Sequence, residues 1–268
     1  MDEKLVEFCK PSMEHPVAIV LGSGLGALAD RVRVVRRIPY ADIDGFPDEA
    51  IPVAGHRYEV LVGSLDGVPV VVYPGRVHLY QGYNALQVTS LVRHAHKLGC
   101  RSIMLGCASG AVRDVKPGTV GVITDQINLT GHNPLDNAEG VAAAGLDEPF
   151  VPMAGAYSAY LRDLAKDTAS EAGFELAEGV YAGMLGPSYE TQAEIAMLAG
   201  FGVDYVGMST VCETIMARAL GMEVLGVTLV TNQAGRPDNS HEMVLEVAER
   251  AAETMRAIVL GVLKRMAQ

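Results

Sequence analysis

Short runs rich in valine and isoleucine recur along this chain, and they constrain its fold more than any other feature. Runs of this length, bounded by glycine, proline and polar residues, are typical of strands buried in a sheet. Asp66-Gly67 separates two of them and predicts a two-residue hairpin, because both positions readily adopt positive φ. At least one strand pair is therefore antiparallel, and the sheet is mixed. The predicted strands are Val17–Leu21, Glu59–Leu65, Val68–Tyr73, Ser102–Leu105, Thr119–Ile127, Tyr181–Met184, Asp204–Met208 and Glu223–Val230.

Helical patterns alternate with the later strands. The last one has apolar residues at three- or four-residue spacing, and Asn239 with Glu242 is a candidate capping pair at its start. No proline- or serine-rich linker divides the chain, so residues 1–268 are predicted to form a single α/β domain, with a twisted mixed sheet flanked by helices. The predicted helices are Leu86–Leu98, Gly155–Ala172, Thr191–Ala199, Val211–Leu220 and Glu242–Met266.

The segment 131–153 is rich in glycine, proline, asparagine and alanine and has no clear period. A loop of this length is usually functional or mobile, so it is a candidate lid over a binding site.

Composition excludes several classes of protein. The hydrophobic fraction of 49% is that of a globular protein, and the formal net charge of -11 disfavours nucleic acid or an anionic membrane as a partner. An anionic substrate must therefore meet a local positive site. The four cysteines lack a paired spacing, and we expect no metal and no organic cofactor. An acidic, mixed N-terminus and the lack of an 18-residue apolar run predict a cytoplasmic protein without a secretory signal.

The loop 75–83, Gly-Arg-Val-His-Leu-Tyr-Gln-Gly-Tyr, directly follows an apolar run. Arg76 offers a planar fork of donors that fits phosphate, and His78, two residues along, can point the same way and add a donor. The flanking glycines let the backbone approach a ligand. The loop therefore indicates an anion-binding site, with an ordinary polar surface loop as the alternative.

A second glycine-rich segment follows the first predicted strand. Ser23 lies between Gly22 and Gly24, where backbone N–H groups and a hydroxyl can face an anion. The segment also fits a loose dinucleotide-binding fingerprint. However, residues 27–37 are too short and too charged for the helix and strand that this motif requires.

Four separated segments together resemble the trimeric purine nucleoside phosphorylase family. The resemblance runs from about Val17 to His241, and it implies a nucleoside phosphorylase-like fold. The segments are Gly22-Ser23-Gly24-Leu25-Gly26, the loop 75–83, Gly186-Pro187-Ser188-Tyr189-Glu190-Thr191 and Val206-Gly207-Met208-Ser209-Thr210.

The resemblance to this family implies two groups of binding residues, one for phosphate and one for the nucleoside. Tyr80 and Met208 hold the ribose, His241 faces its 5′-hydroxyl and Tyr189 stacks near the base. Three alternatives remain open: His56 as a turn residue, Ser209 as a helix cap and Met208 as core. The implied phosphate ligands are Ser23, His56, Arg76, His78, Ala108 through its backbone N–H, and Ser209; the implied nucleoside ligands are Tyr80, Tyr189, Glu190, Met208, Asn232 and His241.

Glu190 and Asn232 predict which purine is used. A carboxylate accepts the N1–H of a 6-oxopurine, whereas adenine lacks that proton and leaves the charge unpaired. The Asn232 amide can donate toward N7, where relatives that prefer 6-aminopurines carry aspartate. The two residues therefore indicate inosine and guanosine. Glu190 can alternatively favour the positive start of the helix that follows it, which Thr191 and Glu194 are placed to cap.

The resemblance implies reversible phosphorolysis of inosine, guanosine and their 2′-deoxy forms in purine salvage. The products are the free base and α-(deoxy)ribose 1-phosphate, inorganic phosphate is the co-substrate, and the protein is a homotrimer. Asn232, His78 and Glu190 are the implied catalytic residues. A phosphorylase for 6-amino or 5′-modified nucleosides, a nucleoside hydrolase and a non-enzymatic nucleoside or phosphate sensor remain as alternatives.

The sequence departs from the family pattern at three places. Gln81 replaces the usual glutamate, so it can orient a neighbour such as His78 but cannot carry a charge. Cys107 stands where asparagine is common, before the Ala108 position. The loop after Asn133 lacks the phenylalanine that in some relatives reaches a neighbouring subunit, and Phe150 lies too far along for that role.

Overall fold

The computed structural model describes residues 15–22, 26–47 and 56–268. Within these ranges the chain forms one mixed sheet of nine strands with helices on both faces, which confirms the predicted fold class. The strands are β1 Val17–Val20, β2 Arg33–Pro39, β3 Glu59–Leu65, β4 Val68–Tyr73, β5 Ser102–Ala111, β6 Val120–Asn128, β7 Ala177–Gly183, β8 Tyr205–Gly207 and β9 Glu223–Gln233.

The described helices alternate with the strands after β4. Three short 3₁₀ helices accompany them, at Gly26–Arg31, Tyr40–Asp42 and Leu79–Gln81. The α-helices are α1 Ala85–Val88, α2 Ser90–Lys97, α3 Ala138–Ala143, α4 Ala159–Ala172, α5 Gln192–Gly200, α6 Val211–Ala219 and α7 His241–Met266.

The sheet has the strand order β2-β3-β4-β1-β5-β8-β7-β6-β9, and β9 also pairs with β5. The second pairing is parallel and runs along β5 from Ser102 to Ala111. Strands β5 to β9 therefore close on themselves like a small barrel, and β1, β4, β3 and β2 extend from it as an open sheet.

Alternation along the central strands divides the core between the two faces of the sheet. Ala18 and Val20 of β1 pack on one face with residues of α1, α2 and α6. Val17 and Ile19 pack on the other face with residues of α4 and α7. This is the pattern of a strand buried on both sides, and it explains why β1 reads as a continuous apolar run.

The hairpin predicted at Asp66-Gly67 is confirmed. Strands β3 and β4 are antiparallel, and Leu65 pairs with Val68. Asp66 and Gly67 both have positive φ, 48° and 87°. Both central residues are thus left-handed, as a two-residue turn that matches the strand twist requires.

Strand β2 is absent from the sequence prediction. It pairs with β3 alone, at the edge of the sheet, with a register shift between Val34 and Arg36. Arg33, Arg36 and Arg37 make it read as a charged connection, because an edge strand largely exposed to water needs no apolar run.

The start of α7 differs from the prediction. Its N-cap is Ser240, whose hydroxyl accepts a hydrogen bond from the N–H of Met243 at 3.2 Å. Asn239 instead donates from its amide to the carbonyl oxygen of Gln233 at 3.0 Å, so the predicted Asn239–Glu242 capping pair is wrong.

Two other predicted boundaries also change. The predicted helix Leu86–Leu98 is divided at Thr89 into α1 and α2, and the segment 131–153 contains helix α3. Its role as a lid stays a prediction. No helix in the described part of the chain is long and apolar enough to cross a membrane.

Candidate active site

One pocket gathers most of the residues selected from the sequence. Its empty space, including the open mouth, is about 710 Å³. The pocket lies at the carboxyl ends of β1, β4 and β9, the edge at which open α/β sheets usually bind ligands. Strand β8, which is antiparallel to β5, also reaches the pocket with its last residues. Its lining is Gly22, Arg76, His78, Tyr80, Cys107, Ala108, Ser109, Gly110, Tyr189, Glu190, Val206, Gly207, Met208, Ser209, Thr231, Asn232, His241 and Val244.

Arg76 is the dominant charge of the pocket. It follows β4, and its side chain is only 2% exposed. Its Nη1 donates to Ser209 Oγ at 3.2 Å, and its Nε lies 3.2 Å from Glu213 Oε1. Among the described residues, Nη2 has no hydrogen-bond partner. A buried guanidinium with an unpaired donor on a pocket wall is suited to hold an anion.

Ser209 is held in place from several directions. Its hydroxyl lies 3.1 Å from that of Thr210, and its N–H donates to Tyr181 Oη at 3.4 Å. Thr210, with φ of 72°, is the N-cap of α6. Ser209 therefore precedes the cap, and the alternative that it caps the helix is wrong.

Two histidines lie beside Arg76. The ring of His78 stacks on Tyr80, with centroids 4.8 Å apart, and lies 5.6 Å from the ring of His56. Burial, followed by the charge of Arg76, lowers the pKa of His78 to about 3. Burial also lowers the pKa of His56 to about 4. Both rings are therefore neutral near pH 7, and each has one donor and one acceptor nitrogen.

Gln81 bonds back to the loop in which it lies. Its Oε1 accepts the backbone N–H of His78 at 2.7 Å and lies 3.3 Å from His78 Nδ1. Because an amide oxygen only accepts, this contact favours a proton on Nδ1 and leaves Nε2 as an acceptor. Gln81 thus orients His78, as the sequence analysis suggested.

A local irregularity in β9 presents Thr231 and Asn232 together. The register with β5 shifts so that Ser109 pairs with Val230 while Gly110 pairs with Asn232, which leaves Thr231 as an extra residue. Neighbouring side chains of a regular strand face opposite sides, whereas such a bulge redirects one of them. The Thr231 hydroxyl donates to Asn232 Oδ1 at 2.9 Å, and Asn232 Nδ2 donates to the Gln233 carbonyl oxygen at 3.4 Å. These bonds can fix the amide and leave one N–H of Nδ2 for a ligand.

Tyr189, Glu190 and His241 form the more exposed part of the lining, here called the outer set. Tyr189 is 40% exposed, Glu190 is half-buried and His241 is exposed at the first position of α7. Burial raises the pKa of Glu190, and the nearby Glu194 adds to this effect. Glu190 directly precedes the predicted Thr191–Glu194 capping box, which the structure confirms.

The less exposed counterpart of the outer set is here called the cationic set, after Arg76. It consists of Arg76, which is buried, and His78, Ala108 and Ser209, which are partly buried. Tyr80 and Met208 also line the pocket. Met208 packs against Gly186, whose φ is 69°. A Cβ added at Gly186 would clash with Met208 Sδ. A side chain at 186 would therefore displace Met208.

Two predicted phosphate ligands differ from the rest. His56 is not part of the lining; its Nδ1 lies 2.9 Å from the carbonyl oxygen and 3.1 Å from the amide nitrogen of Arg76. It therefore contacts the backbone of the cationic set. The prediction for Ser23 lies outside the described residues. The chemical roles of all the candidate residues stay predictions.

Sequence reasoning gave no role to several lining residues. Ser109 and Gly110 were missed because β5 was predicted to end at Leu105, whereas it continues to Ala111. Val244 lies one turn after His241 on α7, and this spacing could have revealed it. Cys107 also lines the pocket, and burial raises the pKa of its thiol. Within the described ranges, no three acidic, histidine or cysteine side chains are grouped as metal ligands.

A family model described as the phosphorylase superfamily matches residues 16–264. Purine nucleoside phosphorylase 1 of Geobacillus stearothermophilus is 42% identical over 276 residues, covering 99% of this chain and 97% of the relative.

Two solved structures of Schistosoma mansoni purine nucleoside phosphorylase are similar over 98% of this chain. The complex with inosine has a TM-score of 0.84 and 34% identity, with 93% of its chain covered. The complex with adenosine has a TM-score of 0.84 and 35% identity, with 97% covered. The chain therefore belongs to the purine nucleoside phosphorylase family, within the phosphorylase superfamily.

Proposed function

We propose that this protein is a purine nucleoside phosphorylase that uses inorganic phosphate to cleave inosine, guanosine and their 2′-deoxy forms. The products are the free purine and α-(deoxy)ribose 1-phosphate, and the reaction serves purine salvage. One observation carries the proposal: a single pocket joins a buried arginine with an unpaired donor to an asparagine and a glutamate. The first suits an anion, and the other two suit the edge of a purine.

The cationic set would bind and orient phosphate. Arg76 Nη2 can donate to one phosphate oxygen, and the Ser209 hydroxyl and the Ala108 N–H can supply further donors. His78 is neutral, and its Nε2 is an acceptor if Nδ1–H faces Gln81. It would then accept a hydrogen bond from a protonated phosphate oxygen or from a ribose hydroxyl. This role differs from the donor role predicted from the sequence.

Cleavage of the bond between ribose C1′ and purine N9 creates two opposite charges. The sugar gains oxocarbenium character, which the bound phosphate stabilises before it attacks C1′, and the purine gains negative charge. Asn232 Nδ2 would donate to N7, with the amide held by Thr231. Positioning and electrostatic stabilisation then supply the rate enhancement, and no covalent enzyme intermediate is needed.

Selection of the base rests on Glu190. Its carboxylate would accept the N1–H of hypoxanthine or guanine, and partial burial increases the cost of leaving it unpaired. Adenine has no proton on N1, so adenosine is expected to react more slowly, although a relative is described in complex with adenosine. The homotrimer that we propose rests on the family resemblance, and the molar mass in solution tests it.

The decisive experiment is chromatography of purified protein incubated with inosine, guanosine or adenosine, each with and without phosphate. We expect release of base and ribose 1-phosphate from inosine and guanosine in the presence of phosphate only. Release without phosphate would identify a hydrolase, and binding without release would identify a sensor. A preference for adenosine would overturn the roles of Glu190 and Asn232.

A further inference from the structure

Glu213 is a buried acid that has no role in the function proposed above. It lies in the first turn of α6 and is 3% exposed. It does not line the nucleoside pocket, so it would not touch a substrate there. Glutamate is almost never fully buried without a partner, because removing its charge from water is costly.

One oxygen of Glu213 contacts Arg76, and the other contacts Thr210, which follows Ser209. Oε1 lies 3.2 Å from Arg76 Nε, and Oε2 accepts the N–H of Thr210 at 2.9 Å. Neither Oε1 nor Arg76 Nε has a hydrogen-bond partner within the described part of the chain, so the contact between them is an ion pair without a hydrogen bond. One carboxylate thus connects the arginine to the turn that carries Ser209.

Glu213 contacts the Nε edge of the Arg76 guanidinium and leaves Nη1 and Nη2 for other partners. An arginine has five N–H donors in a fixed plane, so holding Nε fixes the direction of Nη1 and Nη2. Nη1 reaches Ser209 Oγ, and Nη2 is the unpaired donor.

The hydrogen bond from the Thr210 N–H to Glu213 Oε2 stabilises an unusual backbone conformation. Thr210 has φ of 72°, which an L-residue adopts only when its surroundings stabilise it. Its N–H points to Glu213, and its hydroxyl lies 3.1 Å from that of Ser209. The position of Ser209 therefore also depends on the carboxylate.

We infer that Glu213 is a positioning residue for phosphate, one that aims Arg76 and Ser209 into the pocket without touching the substrate. The inference rests on the proposed function for the identity of the anion. Glu213 also completes the capping box of α6 with Thr210. A capping role alone predicts lower stability without selective damage to phosphate binding.

The test compares E213Q, which removes the charge at constant size, with E213D, which keeps the charge but shortens its reach. C212A on the same turn is the matched control, because Cys212 is buried and contacts the carbonyl oxygen of His132 rather than Arg76. The Michaelis constant for phosphate is measured at saturating inosine, and the dissociation constant for inosine is measured without phosphate. The thermal shift caused by inorganic phosphate gives a readout that needs no turnover.

We expect the Michaelis constant for phosphate to rise at least tenfold in E213Q and severalfold in E213D, with inosine binding changed less than threefold. The phosphate-induced thermal shift should shrink in both variants and persist in C212A. An unchanged or lower Michaelis constant for phosphate, or an equal loss of inosine binding, would overturn the inference. If E213Q is too unstable to purify, E213D carries the same test.

Failure of the proposed function is distinguishable from failure of this inference. Absence of phosphate-dependent base release by the unaltered protein would refute the function. A thermal shift by inorganic phosphate that E213Q loses would still support the role of Glu213.

Discussion

The cationic set and the outer set line the same pocket but are built differently. Arg76 is 2% exposed and is fixed by Ser209 and Glu213, whereas Tyr189 is 40% exposed. In the cationic set, Arg76 and His78 follow β4, Ala108 lies within β5 and Ser209 follows β8. Tyr189 and Glu190 lie on the connection between β7 and α5. A ligand that is always the same can be bound by buried, rigid groups. A ligand that differs among related proteins can be bound by groups on connecting segments, because these segments can change without altering the sheet.

Among the predicted variants, removal of Arg76 should have the largest effect on both activity and stability. We expect R76A to lower kcat/KM for phosphate by about 10³-fold, because the anion loses its charged donors. The unpaired Glu213 should also cost about 3–5 kcal/mol of unfolding free energy. Steady-state kinetics and urea denaturation measure the two effects.

The control is R250A, which removes an exposed i,i+4 ion pair with Glu246. Such a pair contributes at most about 1 kcal/mol. Equal losses of stability in R76A and R250A would show that the cationic set is not the rigid part of the site.

Removal of Asn232 should rank second. We expect N232A to lower kcat by about 10²- to 10³-fold, or about 3 kcal/mol, because a donor to the departing purine is lost. N84A is the matched control, since the Asn84 amide oxygen accepts the N–H of Gln87 at the start of α1 and Asn84 does not line the pocket. Unchanged turnover in N232A would refute the role of this residue.

A smaller effect is expected for Glu190. E190Q should lower kcat/KM for inosine by about 10- to 100-fold, because a hydrogen bond to a charged group contributes about 1.5–3 kcal/mol. The amide can donate to N1 of adenine, so the ratio of adenosine to inosine turnover should rise. The Michaelis constant for phosphate should stay constant, and a parallel rise in it would contradict the division into two sets.

The last prediction concerns pH and stability rather than turnover. The pKa of His78 is about 3 and that of His56 about 4 in the folded protein, against an ordinary value of 6.5. The unfolded chain therefore binds more protons below pH 6.5, and the unfolding free energy should fall as pH falls from 6.5 toward 4. Urea denaturation between pH 7.5 and 5.0 measures this loss. H56N should show a weaker pH dependence, and an unchanged slope would refute the contribution of His56.

The sequence predicts the parts of the site that lie in continuous segments. Arg76, His78 and Tyr80 stand within five residues of each other, so their presence in one pocket depends on a single loop. Most predicted strands are confirmed for the same reason, since each apolar run shows its own burial. The exception is β2, whose exposure leaves no such pattern.

Contacts between distant segments could not be predicted. Glu213 reads as an ordinary acid in a first helical turn, and only the packing of α6 against the loop after β4 brings it to Arg76. The presentation of Thr231 beside Asn232 depends on a register shift against β5, which leaves no trace in local composition. The Ser240 cap was missed because Asn239 is an equally good capping residue by type.

The closure of β9 onto β5 also bears on the solubility of this chain. Each described strand except β2 has a partner on both sides, so β2 is the one edge in the described part of the sheet at which another chain could add a strand. That edge carries Arg33, Arg36 and Arg37 and ends at Pro39, which cannot donate a ladder hydrogen bond. Like charges would face each other if two such edges met. The strand that least resembles a strand in sequence is thus the one that protects the sheet from edge-to-edge aggregation.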